Sequence, residues 1–369
     1  MPICKLCSER EANQTGSHIL SWFLIRASVN NKSKRRRHNE VSFELSTETF
    51  MDTYFEIKIL PKEKKKIKGR PLSDEEIEAQ KNHHTADHIL CSVCEKKIGT
   101  LESFISKKIV DKLRAYKFKS NSQLEILEFS EKEAIRLFIY SLAWRASIVK
   151  YGHFEMDPAH EERLRVMLNE TLAIEEAAML ENAKRYSQKI CEIPLLISFM
   201  ETIGENNNSI YCFQNKRPYA LIANDLTFQL FFRERHTKKN QISLFGINDI
   251  IKRQKSLNFK EDSFKISVLA DEKRKLVYKK LYAFIAKKIM ESAASDFRIG
   301  FKRIFKKAAP SGIVNYFKHK ATITAYDKVE LYSPEHFRNI AVDVMKEYLN
   351  LLNENMLRQQ AYFQRQWHH

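Results

Sequence analysis

Two pairs of cysteines are the residues of this chain best suited to chemistry. Cys4 and Cys7 form the first pair and Cys91 and Cys94 the second, with two residues between the members of each pair. Two thiolates at this spacing bind one metal ion from a tight turn, and four complete the tetrahedral shell that Zn²⁺ prefers. The sequence therefore predicts a structural zinc site where two distant segments meet.

The elements that position these cysteines are expected to be mainly helices. The chain has 369 residues, 43% of them hydrophobic, with only eight glycines and eight prolines. The chain has neither a recognisable signal peptide nor an apolar run of membrane-spanning length, so the sequence predicts a cytoplasmic protein that does not contact a membrane. In a reducing compartment the paired cysteines are metal ligands, and Cys191 and Cys212 are core thiols.

Residues 1–116 are predicted to form the zinc module. Alternating apolar residues over 41–60 predict a β-hairpin, which lies in an insertion spanning 30–90 that also holds a short helix at 74–82. Apolar residues spaced three and four apart over 95–116 predict a helix that begins at the second cysteine pair.

Residues 117–369 are predicted to form a mainly helical body. One helix is expected to follow a cap at Ser130, and another begins at Asp157-Pro158. Short β-branched and aromatic runs over 193–232, separated by turn residues, predict a small antiparallel sheet. The expected fold class is α+β.

The net charge of +17 is concentrated in two zones, 1–70 and 235–320. The second zone holds 22 lysines and arginines against 7 acidic residues. Such zones suit the phosphate backbone of a nucleic acid, although solvated lysine-rich helices give the same composition. The candidate contacts are Lys34, Arg35, Arg36, Arg37, Lys279, Lys280, Lys302, Arg303, Lys306 and Lys307, with 302–307 treated as one helical face if that stretch is helical.

The order of motifs resembles a known family. Cys4-Lys5-Leu6-Cys7, Ser17-His18-Ile19 and Cys91-Ser92-Val93-Cys94-Glu95 resemble the zinc-stapled HNH (His-Me finger) nuclease motif over about residues 1–105. The likeness is greatest to a bacterial subset with Ser-His in place of Asp-His, in which a stretch similar to 140–145 follows. The resemblance implies a treble-clef, or ββα-metal, module.

The resemblance also implies roles for four residues. His18 falls at the general base that deprotonates the attacking water, and Glu95 falls at the helical metal ligand. Ser17 replaces the usual acidic or histidine ligand, and a neutral hydroxyl binds Mg²⁺ poorly. Glu102, two turns beyond Glu95, would add a second carboxylate. The implied catalytic cofactor is Mg²⁺ or Mn²⁺.

Plainer interpretations stay open for each of these residues. His18 suits a hydrogen-bonded core position, Glu95 a first-turn helix acid and Glu102 a solvated helix face. His83, His84 and His88 precede the second cysteine pair and form an alternative metal set.

The sequence thus predicts a metal-dependent HNH-like endonuclease that cleaves DNA, with RNA as a second candidate substrate, in a bacterial defence or mobile-element system. The first alternative is a non-catalytic protein that keeps the zinc scaffold and binds nucleic acid. Another alternative is a protein-interaction module, and self-association is also open.

Overall fold

The structure is a computed structural model in which helical residues outnumber strand residues, so the chain has a mixed, mainly helical α+β fold. It describes the ranges 2–25, 41–46, 50–55, 84–118, 123–201, 210–214, 217–236, 258, 261–326 and 334–366.

The N-terminal region places a two-stranded ribbon ahead of a long helix. Strand β1 (Ser17–His18) pairs antiparallel with β4 (Thr85–Ala86), and the short helix α1 (Trp22–Ile25) follows β1. Helix α2 (Ser92–Ile105) continues through a π-helical turn (Ser106–Val110) into α3 (Asp111–Arg114). The helix predicted over 95–116 is thereby confirmed, with one extra residue accommodated at the π-helical turn.

Eight strands form the main sheet, in the order β3–β2–β7–β8–β9–β6–β10–β5. Neighbours β7, β8, β9 and β6 pair antiparallel, whereas β10 runs parallel to β6 and β2 parallel to β7. The strands are β2 (Val41–Ser46), β3 (Phe50–Phe55), β5 (Leu124–Phe129), β6 (Leu195–Met200), β7 (Ile210–Cys212), β8 (Tyr219–Ala223), β9 (Leu226–Leu230) and β10 (Phe264–Leu269).

The predicted antiparallel sheet is therefore present as the four central strands. Its β8–β9 turn is Asn224-Asp225, where Asn224 takes a left-handed φ of 60° that asparagine tolerates. The hairpin predicted over 41–60 corresponds to β2 and β3, which adjoin this sheet through β7. The short helix predicted at 74–82 lies outside the described residues.

Helix α4 (Lys132–Ile148) runs through the core and is buried from Ala134 to Ser147. One cluster of buried side chains joins it to the cysteines, to α2 and to the sheet. The helix begins after Glu131 without a side-chain cap, so Ser130 is not its N-cap. Around it lie α5 (Pro158–Thr171), which begins after Asp157 as predicted, α6 (Glu176–Arg185) and α7 (Ser187–Cys191).

Three long helices complete the chain: α8 (Asp271–Phe305), α9 (Ser311–Tyr326) and α10 (Pro334–Gln366). Contacts divide the molecule into one compact unit of 1–45 with 52–281 and a second of 46–51 with 282–369. The division at residue 116 inferred from the sequence stays a prediction. In the described part of the chain, every helix is too short or too polar to cross a membrane.

Candidate metal centre and neighbouring acidic site

The four paired cysteines come together as the sequence predicts. Their sulfur atoms all lie within 4.8 Å of one another, and all four residues are buried. Tetrahedral zinc with Zn–S bonds of about 2.3 Å places its sulfurs about 3.8 Å apart, so the cluster matches a zinc-sized ion. The donor set and spacing thus fit a structural metal.

Backbone hydrogen bonds hold the first cysteine pair against the second. The Cys4 amide donates to the Arg10 carbonyl at 2.8 Å and closes a turn, while the Lys5 amide donates to the Ile89 carbonyl at 2.9 Å. Cys91 is the N-cap of α2, and its sulfur accepts from the Cys94 amide at 3.5 Å. The positive end of the helix dipole favours thiolates at this position.

Charged groups around the cluster suit a thiolate site. A hydrogen bond from the Cys94 thiol lowers the pKa of Cys4 to about 4, backbone amides add to this effect, and burial opposes it. The Arg10 guanidinium hydrogen-bonds to Cys91, which raises the arginine pKa. Arg165 donates to the Leu6 carbonyl at 2.7 Å and so fixes the turn between the first two cysteines.

Ser17 and His18 lie on β1, directly behind the cysteine turn. Ser17 is only 2% exposed, and its hydroxyl oxygen has no hydrogen-bond partner among the described residues. His18 is partly buried, and its ring lies 5.9 Å from the Trp22 ring between centroids. The strand therefore directs the serine inward and leaves part of the histidine accessible.

Glu95 projects from the first turn of α2 towards Ser17. Its Oε2 atom is buried and has no hydrogen-bond partner in the described residues. Burial raises the glutamate pKa, and the nearby Ser17 hydroxyl and Arg145 guanidinium partly offset that rise. The Ser17 hydroxyl thus lies close enough to the Glu95 carboxyl group to lower its pKa, although neither Ser17 Oγ nor Glu95 Oε2 makes a regular hydrogen bond within the described residues. Buried polar atoms are usually satisfied by regular hydrogen bonds.

Glu102 is held in a different way. Its Oε1 atom accepts from Arg145 Nη2 at 2.5 Å and from the Ser21 hydroxyl at 2.6 Å. Arg145 is almost fully buried, and its Nη1 atom donates to the His18 carbonyl at 2.6 Å. Glu102 is therefore not a solvated helix residue, because its Oε1 atom anchors the arginine that holds the His18 carbonyl. Its role as a second metal ligand stays a prediction.

Arg145 is the residue of this site to which the sequence assigned no role. It lies in a run of apolar residues on α4, and a charged residue inside a buried helix is almost always paired. An arginine within an apolar helix therefore indicates a buried ion pair, but the sequence does not identify the partner. The contacts of Arg145 reach across 43 residues to Glu102 and 127 residues to His18.

The histidines before the second cysteine pair take structural roles. His84 is buried, with Nδ1 at 2.8 Å from the Tyr151 hydroxyl, and Nδ1 of His88 lies 3.0 Å from the Ala12 carbonyl. His83 lies outside the described residues. Within the ranges that the structure describes, the four cysteines are the only group of three or more side chains placed to hold a metal. The alternative histidine set, which includes His83, stays a prediction.

The predicted nucleic-acid contacts divide into three groups. Lys279, Lys280, Lys302 and Arg303 are exposed on α8. Helix α8 ends at Phe305, and Lys306 follows with a left-handed φ of 55°, so 302–307 is not one helical face. Lys34, Arg35, Arg36 and Arg37 lie outside the described residues.

Comparisons of the chain with protein-family models, curated proteins and solved structures found no match.

Proposed function

We propose that this protein is a metal-dependent nuclease of the HNH type that hydrolyses phosphodiester bonds in DNA. The observation that carries the proposal is the close approach of the Ser17 hydroxyl to the carboxyl group of Glu95, on the strand that also carries His18. The four-cysteine cluster, the ribbon β1–β4 and helix α2 follow one another in the order of the HNH motif.

Each residue has a role in this proposal. His18 accepts the proton of the attacking water. Histidine suits this role because its ordinary pKa is close to neutral and its uncharged ring can take up a proton. Glu95, when ionised, holds a divalent cation together with the Ser17 hydroxyl. A bound Mg²⁺ or Mn²⁺ stabilises the negative charge that develops on the phosphate. Arg145 keeps the His18 backbone in place and is itself held by Glu102.

The basic helix supplies a means of holding the substrate. Lys279 and Lys280 are adjacent, exposed residues of α8, as are Lys302 and Arg303. Lysines that neutralise phosphates release counterions, so binding is expected to weaken steeply as salt rises. These cations carry no pattern for reading base edges, and we therefore propose binding without strong sequence preference.

A non-catalytic nucleic-acid-binding protein is the second candidate. Two observations favour it: Ser17 is almost fully buried, and Glu102 is committed to the ion pair with Arg145. A site with one ionisable ligand binds Mg²⁺ weakly, since this ion prefers several carboxylates and waters. In this case the zinc cluster organises a fold that binds nucleic acid without cutting it.

Cleavage assays separate the two candidates. Plasmid DNA, single-stranded DNA and RNA are each incubated with Mg²⁺ or Mn²⁺ and with the wild type, His18→Ala or His319→Ala. His319 is an exposed histidine of α9 and serves as the matched control. We expect His18→Ala to abolish cleavage without changing zinc content or affinity for DNA, because a general base acts in the transition state. Cleavage by His18→Ala at the wild-type rate, or no cleavage by the wild type, would leave the binding protein as the better account.

A further inference from the structure

Helices α8, α9 and α10 surround an open cleft of about 590 Å³ in the second compact unit. One wall is formed by residues of α8 spaced three and four apart from Ile289 to Ile304, and the other by α10 from Phe337 to Met345. Phe317 of α9 forms part of its floor and stacks on Phe297 with ring centroids 4.6 Å apart.

The cleft exposes apolar side chains above a packed aromatic floor. Ile304 is 60% exposed and Val342 is 50% exposed, one on each wall. Gly300 faces Met345 across the trough, and a Cβ atom at Gly300 would be in ordinary van der Waals contact with the Met345 methyl group, at 3.4 Å. Scattered apolar residues are ordinary on a protein surface, but apolar residues that share one cleft indicate a binding surface.

Positive charge predominates at the rim of the cleft. Arg338 lines the α10 wall, and helical spacing places Lys346 at the edge of the same wall. On α8 the same spacing places Arg303 beside the lining residues. All three are exposed, and among the described lining residues Arg338 is the one cation and Asp296 the one anion, so the excess of positive charge comes from Arg303 and Lys346. The rim therefore complements an occupant that carries negative charge beside an apolar stripe.

The length of the cleft indicates the shape of that occupant. The α8 wall, from Ile289 to Ile304, spans about 22 Å at 1.5 Å per residue, and the α10 wall, from Phe337 to Met345, spans about 12 Å, so the cleft is bounded on both sides over about two helical turns. A trough of this length between two helices suits a third helix that inserts residues spaced i, i+3, i+4 and i+7. We propose that the cleft is a docking site for an acidic amphipathic helix of a partner protein, independently of the nuclease activity.

Designed peptides test this proposal on the full-length protein. A fluorescent peptide of about 16 residues carries leucines at helical spacing with glutamates between them, and a second peptide has lysines in place of the glutamates. We expect the glutamate peptide to bind and the lysine peptide to bind at least about tenfold more weakly in fluorescence anisotropy. Equal binding of the two peptides, or no binding of either, overturns the proposal.

Matched variants locate the binding. Arg338→Glu should weaken binding of the glutamate peptide by about tenfold, whereas Arg298→Glu should leave it unchanged, since Arg298 is exposed on the opposite side of α8. Ala341→Leu narrows the cleft and should also weaken binding, and circular dichroism checks that it is folded. If Ala341→Leu does not fold, the test rests on Arg338→Glu alone. The proposal is then overturned if Arg338→Glu and Arg298→Glu change peptide binding equally.

Two other occupants give distinct results. The cleft is assigned to an anionic lipid if the protein binds neither peptide but co-sediments with phosphatidylglycerol vesicles, and if Arg338→Glu abolishes that co-sedimentation. A dimer in sedimentation velocity that Arg338→Glu disrupts, while Arg298→Glu does not, assigns it to a second copy of this chain. Either result replaces the proposed partner helix.

Discussion

The beginning and the middle of helix α2 carry glutamates in opposite environments. Glu95, in the first turn, has a buried oxygen without a partner in the described residues, whereas Glu102, two turns later, is held by Arg145 and Ser21. One carboxyl group lies beside a buried hydroxyl, and the other holds a buried arginine of the scaffold. The same residue type on one helix thus serves either role, and packing against α4 decides between them.

Removing one zinc ligand tests whether this comparison depends on the cluster. Cys91→Ser should abolish stoichiometric zinc and lower the melting temperature by more than the loss of any single carboxylate, because structural zinc contributes roughly 10 kcal/mol in small metal-stabilised folds. Since the cysteines share one buried cluster with α4 and the sheet, we expect the first compact unit to lose stability as a whole.

Metal analysis and thermal denaturation measure the effect of Cys91→Ser. Cys191→Ser is the control, since Cys191 is a buried thiol outside the cluster and should leave metal content unchanged. Full zinc in Cys91→Ser would show that the four-cysteine site is wrong.

Neutralising Glu102 tests whether this carboxylate stabilises the fold. Glu102→Gln leaves the buried Arg145 without its counter-ion, which should cost about 3 kcal/mol of unfolding free energy. Urea denaturation measures the change. Glu181→Gln is the control: this exposed glutamate pairs with Arg185 at 3.3 Å, and the variant should lose less than about 1 kcal/mol. Equal losses in the two variants would mean that the burial of Arg145 contributes nothing.

Asp225 is a third carboxylate, intermediate between the two. It accepts from Arg114 Nε at 2.7 Å but its Oδ1 atom is buried without a partner in the described residues, and burial raises its pKa to about 6. Between about pH 4 and pH 6 the native state retains a proton that the unfolded chain has lost, so unfolding free energy falls as pH rises.

Asp225→Asn should remove this pH-dependent loss of unfolding free energy, which reaches at most about 3 kcal/mol above pH 6. Denaturation at pH values from 4 to 7 measures the slope in the wild type and the variant. The exposed Asp262 provides the control, Asp262→Asn, whose slope should match that of the wild type. A wild-type slope in Asp225→Asn contradicts the prediction.

Neutralising Glu95 gives the smallest expected change in stability and sharpens the comparison most. Glu95→Gln removes a partly buried charge whose Oε2 atom has no partner in the described residues, so the unfolding free energy should change by less than about 1 kcal/mol in either direction. Cleavage should nevertheless be lost if Glu95 holds the catalytic cation. A loss of stability as large as that of Glu102→Gln would place Glu95 in the scaffold.

How much the sequence could predict differs between local and distant features. The cysteine cluster, the helix after Cys91 and the strands of the central sheet follow from spacing and periodicity, which are local properties of the chain. The pairing of Glu102 with Arg145 could not be predicted, because no local pattern encodes a contact across 43 residues. The same holds for the parallel pairing of β2 with β7, which joins residues more than 160 positions apart.

The single helical face that 302–307 would form as a continuous helix is interrupted for a local reason. The pattern of paired cations continues past Phe305, but the backbone turns into the left-handed region at Lys306 and ends the helix. Lys307 instead lies 5.4 Å from the centre of the Tyr348 ring. A lysine is not a typical residue for such a helix end, where glycine and asparagine predominate, so the sequence contained no stop signal there.

The burial of α4 on every side bears on how the chain is made on the ribosome. When only the first 116 residues have emerged, the cysteines and α2 are already outside, but the helix against which α2 packs has not yet emerged. Leu101 and Phe104 then have no partner surface on α4, and the His18 carbonyl has no arginine. The nascent zinc turns can close early, but the acidic site assembles only after Arg145 leaves the exit tunnel.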